Sequence, residues 1–365
     1  MSRLVELHDR CDQSIWLDNL SRRLMSDGAL SARIAQGVRG LTSNPTIFAK
    51  AIQGSDDYDD QFSALIADGA DVASAYWSMV LDDIARACDE FAPLHTASSG
   101  IDGFVSVEVA PDLARDTKGT LSAARELHVR LSRPNAMIKI PATVEGLPAI
   151  RQMIAEGRSV NVTLIFGLDR YRAVMEAYLA GLEDLASDPN ADLSSVASVA
   201  SFFISRVDSE VDRQLASRGA EALRGRAALT QGRLAYAAFV ETFRGPRWEA
   251  LAARGAQPQR PLWASTGTKD PSYSDVLYVD GLIGPSTVNT LPEATLDAFI
   301  DHGTVDRTID RDVHADRNMW QQLADAGIDM GAVATQLEEE GLAAFASSFT
   351  EVMDALRAKA ATLRS

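Results

Sequence analysis

Short apolar runs alternate with longer segments of helical periodicity along most of this chain. A short continuous apolar run is typical of a strand buried on both faces, whereas apolar residues at every third or fourth position indicate a helix. On this basis we expect eight strands, at 14–20, 40–48, 103–110, 135–143, 159–167, 196–204, 260–267 and 275–284. Helical patterns between them, such as 146–157 and 168–186, complete eight strand–helix units.

Eight such units predict an α/β fold, a single (β/α)8 TIM barrel. The main alternative is a doubly wound open sheet, which normally has fewer strands and a glycine-rich phosphate turn. Neither G-x-G-x-x-G nor G-x-x-x-x-G-K-[ST] occurs in the sequence. We therefore expect one domain over 1–365, with a helical insertion at 220–260 and a C-terminal helical extension at 310–365.

Composition and charge narrow the class of protein. The chain has a formal net charge of −16, a field that repels nucleic acid and anionic membranes. No segment has the ~18 uninterrupted apolar residues of a membrane span, and we expect no signal peptide because the N-terminus lacks an apolar region. The two cysteines, Cys11 and Cys88, are not in a C-x-x-C motif, which favours a reducing cytoplasm. The five histidines show no zinc-ligand spacing, so we expect no metal and no cofactor.

Several predicted strands carry polar side chains on one face. In 103–110 the valines alternate with Ser106 and Glu108, and Lys139 alternates with the isoleucines on either side of it, so each polar set shares a face. The same kind of outlier occurs at Asp18, Asn44, Asn161 and Thr163. If these side chains face the barrel interior, they meet near the carboxyl ends of the strands, where barrel enzymes build active sites. A buried Lys139–Glu108 ion pair without catalysis would account for two of them, but burying the whole set costs free energy without improving packing.

A lysine in such a cavity suggests amine catalysis. Burial disfavours the charged form of a lysine, and a neutral amine can attack a ketone to form a Schiff base. The iminium then accepts the electrons of the C3–C4 bond as that bond breaks, and nearby carboxylates move the protons. If the substrate is an anion, the acidic chain must also concentrate a few basic residues in the same cleft.

Five motifs in this order resemble the transaldolase family. They are GLTSNPTIF, MIKIPAT, NVTLIF, SFFISRVD and DVLYVDGLIGPSTVNTLPEATLDAF. The resemblance runs from about Ser14 to about His302, and the combination is specific where no single motif would be. It implies a transferase that moves a dihydroxyacetone unit between sugar phosphates in the non-oxidative pentose phosphate pathway.

The resemblance also implies a role for each site residue. Lys139 would form the Schiff base, and Asp18 would handle the proton of the C4 hydroxyl. Glu108 would activate a water held by Thr163. The remaining residues would bind the substrate. Its hydroxyls would be bound by Asn44, Asn161 and Ser201, and its phosphate by Arg206 and Ser265. In much of the family the seventh strand reads A-S-F-R, with the arginine on the phosphate. Here Lys269 is the nearest cation, and it would replace the arginine as a point charge.

Two other functions remain open. A Schiff-base aldolase of the same barrel group would release free dihydroxyacetone, but relatives of that type tend to carry a glutamine in place of Glu108 and lack the insertions. A non-catalytic barrel that binds sugar phosphates or another protein would tolerate the loss of Lys139 or Asp18, and both are present. The sequence does not predict the oligomeric state or the preferred donor.

Overall fold

In the computed structural model, which describes residues 2–363, eight parallel strands form a closed barrel in chain order. The strands are β1 Gln13–Leu17, β2 Gly40–Thr42, β3 Phe104–Glu108, β4 Ala136–Pro141, β5 Val160–Ile165, β6 Ser198–Phe203, β7 Arg260–Ala264 and β8 Thr287–Leu291. The barrel closes between β1 and β8, where Gln13 lies opposite Thr287. The predicted (β/α)8 class is confirmed.

The helices alternate with these strands and continue beyond the last one. They are α1 Arg3–Cys11, α2 Arg22–Ser26, α3 Ala29–Gln36, α4 Pro45–Gln53, α5 Asp59–Ala67, α6 Val72–Ala97, α7 Thr117–Leu131, α8 Gly146–Ala155, α9 Leu168–Ala186, α10 Ser205–Ser217, α11 Ala227–Thr242, α12 Pro246–Ala252, α13 Leu277–Gly281, α14 Glu293–His302, α15 Val313–Asp325 and α16 Met330–Leu363. Within residues 2–363, none of them combines the length and hydropathy needed to cross a lipid bilayer.

The predicted eighth strand at 275–284 is wrong. That segment contains the short helix α13, and the strand follows it as β8. Val276, Val279 and Ile283 are all buried and recur at i, i+3 and i+7, which is the periodicity of a helix rather than of a strand. β8 itself, with the sequence TVNTL, carries threonines and an asparagine, so it lacks the continuous apolar run by which the other strands were recognised.

A buried ion cluster closes the N-terminal end of the barrel. Asp102, which precedes β3, accepts hydrogen bonds from Arg39 Nε at 2.6 Å and from Ser14 Oγ at 3.0 Å. Its other carboxylate oxygen accepts from Arg260 Nη2 at 3.0 Å. These residues lie near the beginnings of β1, β2, β3 and β7. Since they fill that end with paired charges, the opposite end of the barrel is left for a site.

The helical additions expected from the sequence lie on the barrel. The segment 220–260 contains α11 and α12, of which α11 packs against β7, and the C-terminal segment 310–365 contains α15 and α16. α16 contacts α4, α6, α10 and β5. It approaches β5 so closely at Gly341 that an added Cβ would lie 3.0 Å from a Leu164 methyl group. This long helix therefore covers part of the barrel's C-terminal end.

Candidate active site

A cavity of about 140 Å³ opens at the C-terminal end of the barrel. Residues from the ends of seven strands and from α16 line it: Asp18, Thr42, Asn44, Lys139, Thr163, Ser201, Phe203, Arg206, Ala264, Ser265, Gly267, Lys269, Thr290, Pro292 and Phe345. Most of the residues predicted from the sequence are in this set. Glu108 and Asn161 are not, and they lie behind the lining, next to residues that belong to it.

Lys139 is buried on β4, with 4% of its surface exposed. Its Nζ donates a hydrogen bond to the Ser43 carbonyl at 2.9 Å and lies 3.3 Å from Glu108 Oε2. Strand register explains this contact, because Lys139 is paired with Glu108 on β3 and with Asn161 on β5. Neighbouring residues on adjacent strands point to the same side, so these three side chains share the barrel interior. The amine thus has a carboxylate beside it that can take up its proton.

Glu108 is the last residue of β3 and is also buried. Burial raises the pKa of this carboxyl above its ordinary value, Lys139 opposes the rise, and the charge of Asp18 adds to it. A carboxyl whose pKa is raised toward neutrality can both accept and return a proton within one catalytic cycle. Its position beside Lys139 therefore suits a proton carrier.

Thr163 presents a free hydroxyl at the end of β5. Its Oγ1 is buried and has no hydrogen-bond partner among residues 2–363. Directly after it the backbone of Leu164 takes a positive φ of 59°, and the pairing of β5 with β6 shifts register between Val162 and Ile165. Irregularities of this kind re-aim side chains near active sites. The hydroxyl is available to bind a water or a substrate atom.

Asp18 follows β1 and is held in place by neighbouring strands. Its backbone N–H donates to the Leu291 carbonyl at 2.8 Å, and its Oδ1 accepts from Thr42 Oγ1 at 2.8 Å. The Thr42 hydroxyl is also 2.7 Å from that of Thr290 on β8. Burial raises the pKa of Asp18, while Lys139 and the Thr42 hydrogen bond oppose the rise. Asp18 is therefore a second carboxylate, positioned separately from Glu108, and its raised pKa makes it a stronger base than an ordinary aspartate.

The two asparagines have different surroundings. Asn161 donates to Ser106 Oγ at 3.0 Å and accepts from Ser201 Oγ at 2.7 Å, so its amide orients the Ser201 hydroxyl from behind the cavity. Asn44 precedes α4, and its Oδ1 accepts from the Ile47 N–H at 3.0 Å. That bond caps the helix. Asn44 also lines the cavity, and its Nδ2 has no acceptor among residues 2–363. The predicted contacts of Asn44, Asn161 and Ser201 with substrate hydroxyls stay predictions.

Two cations, Arg206 and Lys269, line the cavity beyond the ends of β6 and β7. Arg206 is the second residue of α10, and its guanidinium carbon lies 5.4 Å from the centre of the Phe203 ring. Burial lowers the pKa of the Arg206 guanidinium, and Glu340 opposes this shift. Ser265, whose φ is 55°, places its hydroxyl 3.0 Å from that of Ser205. Within the part of the chain that the structure describes, neither Arg206 nor Lys269 forms an ion pair. Arg206 is half-buried, and Lys269 is exposed at the edge of the cavity. In a molecule of net charge −16, a half-buried cation without such a partner favours an anionic ligand.

Sequence reasoning did not single out several residues of this site. Thr42 and Ser43 lie inside the motif GLTSNPTIF, so their motif was identified but not their contacts. Thr290 lies on β8, which was assigned to the wrong segment. Phe345 lines the cavity from α16, and nothing in its local sequence indicates which part of the barrel that helix crosses.

No candidate metal site occurs among residues 2–363: no group of three or more His, Cys, Asp or Glu side chains lies close enough to hold an ion. The absence of a metal and of a cofactor remains a prediction from the sequence.

The chain resembles known proteins over nearly its whole length. Residues 15–356 match the transaldolase/fructose-6-phosphate aldolase family. The transaldolase of Thermobifida fusca (strain YX) is 52% identical over 358 residues, which cover 97% of each chain. The transaldolases of Parafrankia sp. (strain EAN1pec) and Saccharopolyspora erythraea are each 52% identical and cover 94% of both chains. The similarity therefore includes the barrel, the cavity and most of α16.

Proposed function

Because this chain belongs to the transaldolase/fructose-6-phosphate aldolase family, we propose that it transfers a dihydroxyacetone unit from a ketose phosphate to an aldose phosphate. The donor would be sedoheptulose 7-phosphate or fructose 6-phosphate, and the acceptor glyceraldehyde 3-phosphate or erythrose 4-phosphate. The observation that carries this proposal is a buried lysine 3.3 Å from a buried carboxylate, at the end of a barrel whose cavity is also lined by the cations Arg206 and Lys269.

The first step joins the donor to Lys139. The amine attacks the C2 carbonyl, and the oxygen of C2 leaves as water once it has been protonated. Glu108 lies beside Nζ, so it takes the proton that the ammonium releases and returns it to the departing hydroxyl. Thr163, whose hydroxyl has no other partner among residues 2–363, would hold the water that carries this proton.

The second step breaks the C3–C4 bond. Asp18 takes the proton of the C4 hydroxyl, the electrons of the bond pass to the iminium, and the aldose phosphate leaves. Thr42 fixes the Asp18 carboxylate for this transfer. The enamine left on Lys139 then attacks the acceptor aldehyde, and Asp18 returns its proton to the new hydroxyl. Hydrolysis of the imine through Glu108 releases the product.

The cations and amides orient the substrate between these groups. Arg206, Ser265 and Lys269 would bind the phosphate, with Lys269 in place of the family's arginine. The free Asn44 amide and the Ser201 hydroxyl would bind substrate hydroxyls near Lys139. The alternative of a lyase that releases free dihydroxyacetone is not favoured, because relatives 52% identical over nearly the full chain are transaldolases.

The pathway and the compartment belong to the same proposal. Sugar phosphates of these lengths are interconverted in the non-oxidative pentose phosphate pathway, as the resemblance implies. A cytoplasmic location is supported by Cys11 and Cys88, which are free and buried, because unbridged cysteines are typical of a reducing compartment.

Borohydride reduction tests the proposal. Reducing the protein with fructose 6-phosphate should attach a stable three-carbon or six-carbon adduct to the peptide that contains Lys139. Lys139→Arg should form no adduct and have no transferase activity, because a guanidinium stays protonated. Lys118→Arg, at an exposed position of α7, is the matched control and should behave as wild type. An adduct on another lysine, or full activity in Lys139→Arg, would exclude the mechanism.

A further inference from the structure

A second and much smaller cavity lies behind Glu108. It measures about 10 Å³, and its walls include Asn44 just before α4, Pro45 of α4, Tyr76 of α6, Glu108 of β3 and Phe349 of α16. Asn44 also lines the substrate cavity, so it separates the two spaces. A cavity of about 10–15 Å³ has room for one water molecule. Glu108 thus has a water-sized chamber on the side away from the substrate.

Tyr76 brings an unused hydroxyl to this chamber. Its side chain is buried, and its hydroxyl, which forms no hydrogen bond with residues 2–363, keeps a little accessible surface. The Tyr76 ring packs edge-on against Trp77 at 5.3 Å and against Phe349 at 5.4 Å between ring centres. A buried tyrosine normally finds a partner for its hydroxyl, since an unpaired polar group loses its hydration without compensation. Glu108 is the acceptor that shares the chamber.

The charges around Glu108 make Tyr76 a donor. The titratable groups that face this carboxylate are Lys139 from β4, Asp18 from the end of β1 and Tyr76 from α6. Burial raises the pKa of Tyr76, and the negative charge of Glu108 raises it further, so the phenol keeps its proton. A neutral phenol stabilises the ionised form of a nearby carboxylate by donating a hydrogen bond to it.

Taking the proposed function as given, we propose that Tyr76 is a positioning residue for Glu108, to which its hydroxyl donates through one water in the small chamber. This contact stabilises the ionised Glu108 that must accept the proton of Lys139. Phe349 closes the chamber from α16 and limits the carboxylate to that one water. Phe349 of the C-terminal helix thereby contributes to the proton transfer from outside the substrate cavity.

Two substitutions should move the pH dependence of imine formation in opposite directions. In Tyr76→Phe the carboxylate loses its donor, so the acid limb of the rate profile moves to higher pH. Below that limb the rate falls by up to about tenfold, the effect of one water-mediated hydrogen bond to the carboxylate. In Phe349→Ala bulk water enters the chamber and stabilises the carboxylate, so the limb moves to lower pH.

The measurement is single-turnover borohydride trapping with fructose 6-phosphate across the acid pH range. Tyr171→Phe is the matched control, because Tyr171 is fully buried, its hydroxyl has no partner among residues 2–363, and it packs on Phe202 away from both cavities. Its profile should be that of wild type. In a Glu108→Gln background, where the carboxylate is gone, Tyr76→Phe should cause no further change.

The outcomes separate this inference from the proposed function. If wild type traps the imine on Lys139 but Tyr76→Phe has the same pH profile as Tyr171→Phe, Tyr76 does not act through Glu108. The same conclusion follows if Tyr76→Phe causes an equal loss in the Glu108→Gln background. If wild type traps no imine at all, the proposed function fails and this inference fails with it.

Discussion

At the scale of single residues, the two carboxylates beside Lys139 differ in what surrounds them. Glu108 lies 3.3 Å from the amine, whereas Asp18 is bonded to Thr42 and faces the cavity. Burial raises the pKa of both, so each can move a proton. Their positions divide the work, because only Glu108 adjoins the nitrogen that forms the imine.

This division predicts different defects in two variants. Asp18→Ala should still form a trappable imine with fructose 6-phosphate but fail to release glyceraldehyde 3-phosphate. Glu108→Gln should form and hydrolyse the imine slowly. General acid–base assistance is worth about 10²–10⁴-fold per group, so both losses are measurable. Single-turnover trapping compares them. If Asp18 only stabilises Lys139 electrostatically, Asp18→Ala will depress imine formation and cleavage together. Its imine will then be trapped no faster than that of Glu108→Gln.

The guanidinium of Arg206, which has no ion-pair partner among residues 2–363, predicts a defect confined to phosphorylated substrates. Arg206→Ala should raise KM for fructose 6-phosphate by about 10- to 150-fold, which corresponds to the roughly 1.5–3 kcal/mol of a charge-assisted hydrogen bond. It should leave activity with unphosphorylated dihydroxyacetone unchanged, and Lys269→Ala should act in the same way more weakly. Arg213→Ala, on the same helix but paired with Glu210, is the control. Equal losses on both kinds of substrate would show that Arg206 is not a phosphate ligand.

At the scale of elements, a network of side chains holds the segment after β7 that carries Lys269. Tyr273 donates to Asp212 Oδ2 at 2.6 Å, and Arg224 Nη2 lies 2.9 Å from Asp270. Asp212 also accepts from the Gly225 N–H at 2.9 Å. The segment is thus tied to α10 and to the turn before α11, which fixes where Lys269 can stand.

Loosening this network should weaken phosphate binding. Tyr273→Phe removes one hydrogen bond, so we expect KM for phosphorylated donors to rise by about two- to tenfold with kcat unchanged. Tyr236→Phe, at a buried position of α11, is the control. Steady-state kinetics in the Lys269→Ala background provide the decisive comparison. A further rise in KM there, as large as in wild type, would mean that Tyr273 does not act through Lys269.

The elements also show what the sequence can and cannot predict. Alternation along β3, β4 and β5 is a local property, and it is sufficient to place Glu108 and Lys139 on the same side of the barrel. β8 was missed because its two threonines and its asparagine interrupt the apolar run, while the apolar segment before it is helical. Phe345 and Phe349 reach the two cavities only because α16 crosses the barrel end, and that crossing depends on packing over long sequence distances.

At the scale of the whole molecule, one buried carboxylate links fold stability to pH. Asp208 of α10 accepts hydrogen bonds from the Ala228 N–H at 2.7 Å and from the Tyr278 hydroxyl at 2.9 Å. It therefore joins α10, α11 and α13, which come from different parts of the barrel wall. Burial raises the pKa of Asp208 from 3.8 to about 6, although both hydrogen bonds oppose the rise.

Between about pH 4 and 6 the folded protein should hold a proton on Asp208 that the unfolded chain has lost. The free energy of unfolding therefore falls as pH rises through this window, by about 3 kcal/mol for a shift of about two pKa units. Asp208→Asn cannot ionise and should lack this loss, while its amide still offers a hydrogen-bonding group to Ala228 and Tyr278. Urea unfolding at pH 4 to 7 measures the difference in the free energy of unfolding between wild type and Asp208→Asn. The titration of all other groups cancels in this difference. A difference that stays constant across the window would show that Asp208 is already ionised in the folded protein at low pH, held so by its two donors against the cost of burial.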